Sequence, residues 1–148
     1  MTPSTVPPWD AERALAVEWS SVGDNYTFGL TATLRAVCRV WRRPDLTSAD
    51  GARCAEEMTS LMRAAAARME SLGMLFDLRD APFIAGPRTE AAVTLMLTSW
   101  DQVRKRSCII VSDNPMQQLQ MKRLVEKHAP RFGFATPTLG GAQRHLGL

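Results

Sequence analysis

The chain has 148 residues, 45% of them hydrophobic and 22% charged, with a formal net charge of +3. That length suits one domain with its own core, burying roughly 70% of its unfolded surface. The composition is that of an ordinary globular protein, no repeat occurs, and no apolar run approaches the roughly 20 residues of a membrane span. Residues 1–74 carry 8 basic and 9 acidic side chains and residues 75–148 carry 10 and 6, so the second half holds a surplus of +4. These charges are scattered over helical faces without the interleaved aromatics that stack bases, so no nucleic-acid partner is expected.

In chain order, residues 1–13 read as a flexible lead-in with Pro3, Pro7 and Pro8, pinned by Trp9. The stretch has neither a basic start nor an apolar run and does not read as a signal peptide. Ala14 to Val22 and Tyr26 to Ala32 are extended segments around the turn Gly23-Asp24-Asn25, which favours a hairpin. Leu34 to Trp41 alternates, with Leu34, Ala36, Cys38 and Val40 on one face and Arg35, Arg39 and Trp41 on the other. That is the pattern of a half-buried strand, stopped at Arg42-Arg43-Pro44. Thr47 or Ser48 caps a helix whose apolar positions Met58, Leu61, Met62, Ala65, Met69 and Leu72 recur at helical spacing, and Gly73 ends it.

The later part alternates strand and helix. Met74 to Leu78 is a short apolar run interrupted by Asp77, a central parallel strand. Pro87 suits a first helical turn, and Thr89 to Lys105 is a long helix. Cys108 to Val111 is a strand, followed by a helix from Pro115 with Met116, Leu119, Leu124 and Val125 as its core side. Phe132 to Ala135 is the last strand, and Thr138 caps a terminal helix with Leu139, Ala142 and Leu146. The expectation is one α/β domain over residues 14–148. It has a mixed sheet with an N-terminal antiparallel hairpin, parallel central strands and about four helices.

Chemistry-bearing motifs are missing from the sequence. There is no G-x-G-x-x-G, no phosphate loop ending in Gly-Lys-Ser/Thr and no G-x-S-x-G elbow. His128 and His145 stand at helix ends beside Lys127 and Arg144, where a basic side chain complements the helix dipole. Cys38, Cys54 and Cys108 are odd in number and widely spaced, which reads as reduced, buried thiols in a cytoplasmic protein. Asp77, Asp80 and Asp113 lie at strand ends, where a receiver domain gathers carboxylates around magnesium. The acidic pair and the lysine that complete a receiver have no counterpart here, so Asp77 reads as a structural hydrogen-bonding group and Asp113 as a turn or cap residue. No catalytic residue, metal or cofactor is expected. The excess of arginine over lysine, 15 against 3, points to a GC-rich bacterial coding sequence.

The segment Phe76-Asp77-Leu78, followed by Phe83-Ile84 and then Gly86-Pro87 at a helix start, resembles the STAS family of sulfate transporters and anti-sigma-factor antagonists. Ile109 to Asn114, the glutamine-rich helix with Gln117, Gln118 and Gln120, and the terminal helix resemble its branch related to SEC14 lipid-binding proteins. The resemblance implies a non-enzymatic regulatory or scaffolding module that binds a protein partner through Arg79, Asp80, Gly86, Pro87, Arg88 and Thr89. The family's antagonists carry a phosphorylatable serine pair where this chain has Gly86-Pro87, so that switch is not carried over.

The helix behind that loop shows a second apolar stripe, Val93, Met96, Leu97 and Trp100, beside the stripe Ala92, Leu95, Ser99 and Val103. Two accounts fit it. One is a wide packing face covered by a neighbouring helix; the other is a partner-binding surface, that of a homodimer anchored on Trp100. An alternative function places a small molecule or lipid in a crevice between the 89–105 helix and the sheet.

Overall fold

The computed structural model describes residues 6–148. Six strands form one sheet in sequential order, β1 (Val17–Val22), β2 (Tyr26–Thr31), β3 (Arg35–Trp41), β4 (Gly73–Asp80), β5 (Ser107–Ile110) and β6 (Gly133–Thr136). The first three are antiparallel and β3 to β6 are parallel, so the mixed sheet with an N-terminal hairpin stands as expected. Helices α2 (Ser48–Ala67), α3 (Pro87–Gln102) and α4 (Pro115–His128) connect the parallel strands, and α5 (Leu139–Leu146) ends the chain.

The side-chain alternation of the strands divides the core in two. Ala36, Cys38, Val40, Met74, Phe76, Leu78, Ile109 and Val111 face the layer of α2, α3 and α4. Val37, Leu75, Cys108 and Ile110 face the other way and are covered by α5 and by a short helix, α1 (Ala11–Leu15). Strands buried on both faces need continuous apolar runs, which is what Met74-Leu75-Phe76 and Cys108-Ile109-Ile110-Val111 supply. The caps follow the sequence. Thr47 and Asp50 form a reciprocal capping box, Asn114 accepts from Met116 N and Gln117 N ahead of Pro115, and Thr138 accepts from Gly141 N.

Five expectations need correction. Residues 14 and 15 belong to α1, which reverses at Ala16 in the left-handed region (φ 51°), and the strand begins at Val17. Of the lead-in, residues 1–5 lie outside the described residues, while Trp9 packs against Trp19 with the rings tilted by 49° and donates to Asp77. β3 is buried on both faces, because Pro7, Pro8 and Trp9 lie against Arg39, Arg39 lies against Trp41, and α1 packs in one cluster with Val37. α2 ends at Ala67, leaving Met69 and Leu72 exposed; Gly73 opens β4 instead, where Leu146 and the Arg106 carbonyl crowd its α-carbon. On α4, Met116 and Leu119 face solvent and Gln117 is buried in their place. Cys38, Cys54 and Cys108 are buried free thiols on β3, α2 and β5. Among the described residues, no helix is long and apolar enough to cross a membrane.

Candidate functional site

The carboxyl ends of parallel strands are where open α/β sheets leave a crevice. Here the crevice is an apolar cavity of about 220 Å³. Val40, Phe76 and Leu78 form its floor; Ala55, Met58 and Thr59 of α2 and Val93 and Met96 of α3 form its walls. The loop from Ala81 to Ala85 roofs it, and Asn25, Ser48, Gly51 and Thr89 stand around it. Among the described residues, no Asp, Glu, Lys, Arg or His lines the cavity. Thr59 is committed elsewhere, its hydroxyl donating to the Ala92 carbonyl at 2.9 Å.

A glycine stands in this lining. Gly51 sits inside the first turns of α2, where glycine costs roughly 0.5–1 kcal/mol relative to alanine. A β-carbon at Gly51 would meet nothing within 4 Å, so the residue leaves room that no neighbour fills. Gly86, at φ 94°, adopts backbone that L side chains avoid and turns the chain into Pro87 at the start of α3.

The roof is held from α4 by two glutamines. The buried Gln117 directs Nε2 at the carbonyls of Leu78, Ala81 and Pro82 (3.3, 3.0 and 3.3 Å), and its Oε1 accepts from Ser112 N at 2.6 Å. Gln120 pairs with both backbone groups of Ile84, accepting from its N at 2.9 Å and donating to its O at 2.8 Å. The loop makes few backbone bonds of its own, and these carboxamides take their place.

Beside the roof lies a second, polar groove, lined among others by Asn25, Trp41, Arg42, Arg43, Arg79, Asp80, Ser112 and Asp113. Most of its charges are engaged. Arg43 pairs with Asp45, and Arg79 with the buried Asp77. Asp80 pairs with Arg39, whose guanidinium lies 5.6 Å from the ring centroids of both Trp9 and Trp41 and also donates to the Pro7 and Pro8 carbonyls. Asp77 accepts from Trp9 and from the backbone and side chain of Arg79, so it acts as the structural group expected of it. Asn114, not Asp113, caps α4.

Among the described residues, no group of three or more His, Cys, Asp or Glu side chains could hold a metal. Burial pushes the Cys38 thiol up and the Cys108 thiol up to about 12, which favours the protonated form of both. Burial, then the adjacent Glu57 carboxylate, also raises the Tyr26 phenol.

The ten residues expected to form a partner surface therefore separate. Val93, Met96, Leu97 and Trp100 are 4%, 1%, 0% and 0% exposed, which overturns the docking stripe and its Trp100 anchor. The reason is position. α3 is the middle helix of its layer, flanked by α2 and α4 over the sheet, so it is covered on three sides. Thr89, Val93 and Met96 line the cavity. Arg79 and Asp80 line the polar groove. Gly86, Pro87 and Arg88 are exposed, with Arg88 paired to Glu56 of α2. The sequence reading gave Asn25 only a place in a turn and Met58 only a core position, passed over Gly51, and did not give Gln117 and Gln120 a task. A glycine inside a capped helix and glutamines on an apolar helix face were the signals present. Comparison with protein-family models, with curated proteins and with solved structures yields no match for this chain.

Proposed function

We propose that this domain is a non-enzymatic binding module that encloses a small, mainly apolar molecule between α3, α2 and the sheet. The observation that carries the reading is the cavity itself, which lies at the carboxyl edge of the parallel strands and has no ionisable group in its lining. A dry cavity of about 150 Å³ admits benzene. At about 220 Å³ this one takes a single ring with substituents or a short alkyl chain.

Gly51→Leu is the test, since its side chain enters open space and its helix propensity improves on glycine. The variant is expected to melt no lower than wild type and to lose both a co-purifying ligand in native mass spectrometry and toluene uptake. Equal uptake by the two proteins would refute the proposal.

One observation favours a second reading, protein docking at the roof loop as the STAS resemblance implies. Phe83 on that loop and Met116 and Leu119 on α4 are 40%, 64% and 50% exposed and share one shallow surface. A photo-cross-linker at position 83 should trap a protein in cells on that reading, and trap none if the surface is unused.

A further inference from the structure

The topology gathers cations that lie far apart in the sequence. Four loops feed the parallel strands: residues 32–34, 68–72, 103–106 and 129–132. They lie side by side at the amino edge of the sheet, because Leu72 N donates to the Leu34 carbonyl, Met74 N to the Arg106 carbonyl and Ser107 N to the Phe132 carbonyl, each at 3.0 Å. Together with the first residue of β3, this edge carries Arg35, Arg68, Arg104, Lys105, Arg106 and Arg131, and Glu70 is the one acidic side chain in the loops. Arg68 pairs with Glu70, and Arg131 with Asp101 of α3. Arg35, Lys105 and Arg106 donate to the carbonyls of Leu146, Ala66 and His145 at helix C-termini, whose partial charge offsets only a fraction of theirs. Arg104 is exposed and forms no ion pair among the described residues. The loops leaving the strands at the opposite edge hold Arg42 and Arg43 against Asp45 and Asp113, so the positive surplus belongs to one end of the sheet.

Apolar side chains stand among these cations. Met69 is 94% exposed, and Leu34, Leu72 and Val103 in the same loops are exposed as well. Leu34 and Arg104 hold left-handed backbone (φ 63° and 57°), where glycine or asparagine is the usual choice. The chain thus keeps a leucine and an arginine at two loop positions that local geometry does not favour.

We propose that this edge docks on an anionic lipid surface, with Met69 and Leu72 entering the headgroup layer and Arg35, Arg104, Lys105 and Arg106 facing the lipid charges. Charge complementarity makes the partner an anion, and the apolar residues among the cations select a membrane surface. A nucleic-acid backbone offers Met69 and Leu72 no apolar surface. Phe132, the one aromatic in these loops, is half-buried with the Arg131 guanidinium 5.7 Å from its ring centroid, so it does not offer a free face to a base. The cavity lies at the carboxyl edge, so the docking face and the cavity are separate sites.

The test is co-sedimentation of the full chain with vesicles of phosphatidylcholine alone and of phosphatidylcholine mixed with phosphatidylserine, with a DNA duplex titrated in parallel as the competing polyanion. Binding is expected only to the vesicles containing phosphatidylserine, and it should weaken as salt rises. Arg104→Asn suits the left-handed backbone and should weaken binding about fivefold, the worth of one cation at such a surface. Met69→Ser should weaken it about tenfold by removing an apolar side chain that gains on leaving water. Both positions are exposed, so neither change should affect folding. Absence of vesicle binding, equal binding to the two vesicle types, tighter binding to the duplex than to vesicles, or a Met69→Ser variant that binds as wild type does would each overturn the proposal. All of these outcomes leave the cavity reading standing.

Discussion

Gln117→Met tests whether the roof of the cavity is held by one buried carboxamide. Methionine keeps the length and volume of the side chain, so packing is nearly conserved and the change isolates hydrogen bonding. The Gln117 NH2 group has two protons to share among the carbonyls of Leu78, Ala81 and Pro82, and the oxygen accepts one further bond from Ser112 N. Three hydrogen bonds are therefore lost. At about 1 kcal/mol net for each, the expected destabilisation is about 3 kcal/mol. With a urea m-value of about 2 kcal/mol/M for a domain of this size, the midpoint falls by about 1.5 M. A domain of typical stability, about 5–15 kcal/mol, remains folded. Amides of the loop 81–86 should exchange faster in Gln117→Met, while those of β5 should not. A midpoint within a few tenths molar of wild type would show that the roof is held by packing and that the glutamine contacts contribute little.

Trp100→Ala should cost about 3–5 kcal/mol by urea unfolding, since Trp100 is fully buried in the core. Its sedimentation coefficient should match wild type at every concentration, and a dimer that dissociates only in the variant would restore the interface account. Arg39→Met should cost about 1–3 kcal/mol, below the usual penalty for a broken buried pair because the Asp80 carboxyl is 56% exposed and stays hydrated. It should also speed tryptic cleavage after Arg13, and unchanged cleavage would show that Arg39 does not hold the N-terminal segment. Burial holds the Cys38 and Cys108 thiols protonated in the folded state, whereas in the unfolded chain they ionise near 8.5. Their stabilisation is present in full below about pH 8.5 and is lost as pH rises towards about 12, at about 1.4 kcal/mol per pH unit for each thiol. Urea midpoints measured from pH 7 to 10 should be level and then fall, and a level profile throughout would refute the shifts.

Most of the architecture was legible because the local signals agree with one another. Thr47, Pro115 and Thr138 mark helix starts with a mechanism, and the apolar runs at Met74 and Cys108 are of the kind only a doubly covered strand needs. α1 was hidden by its five-residue length and the absence of a capping side chain. The two misread helix faces share one cause, the equation of polar with outside and apolar surplus with a partner. Gln117 is buried because backbone carbonyls of a neighbouring loop need donors, and the pattern within its own helix does not reveal them. Trp100 is buried because two helices far along the chain flank α3, information that periodicity within α3 does not hold. The cavity was legible as a location, between that helix and the sheet, but its lining was not. Gly51 and Met58 lie on α2 and Asn25 on the β1–β2 turn, two segments that meet only through the β3 to β4 crossover.

Sequential strand order carries a consequence for synthesis on the ribosome. Each strand from β2 onward lies beside the strand made just before it, so every new unit finds its neighbour already in place as it emerges. The N-terminal segment is the exception. Trp9 donates to Asp77, 68 positions later, so at about 5–20 residues per second the indole waits roughly 3–14 s for its acceptor. During that interval the indole of Trp9 has no Asp77 to hold it, and the N-terminal segment is the last part of the β1–β4 half to be fastened.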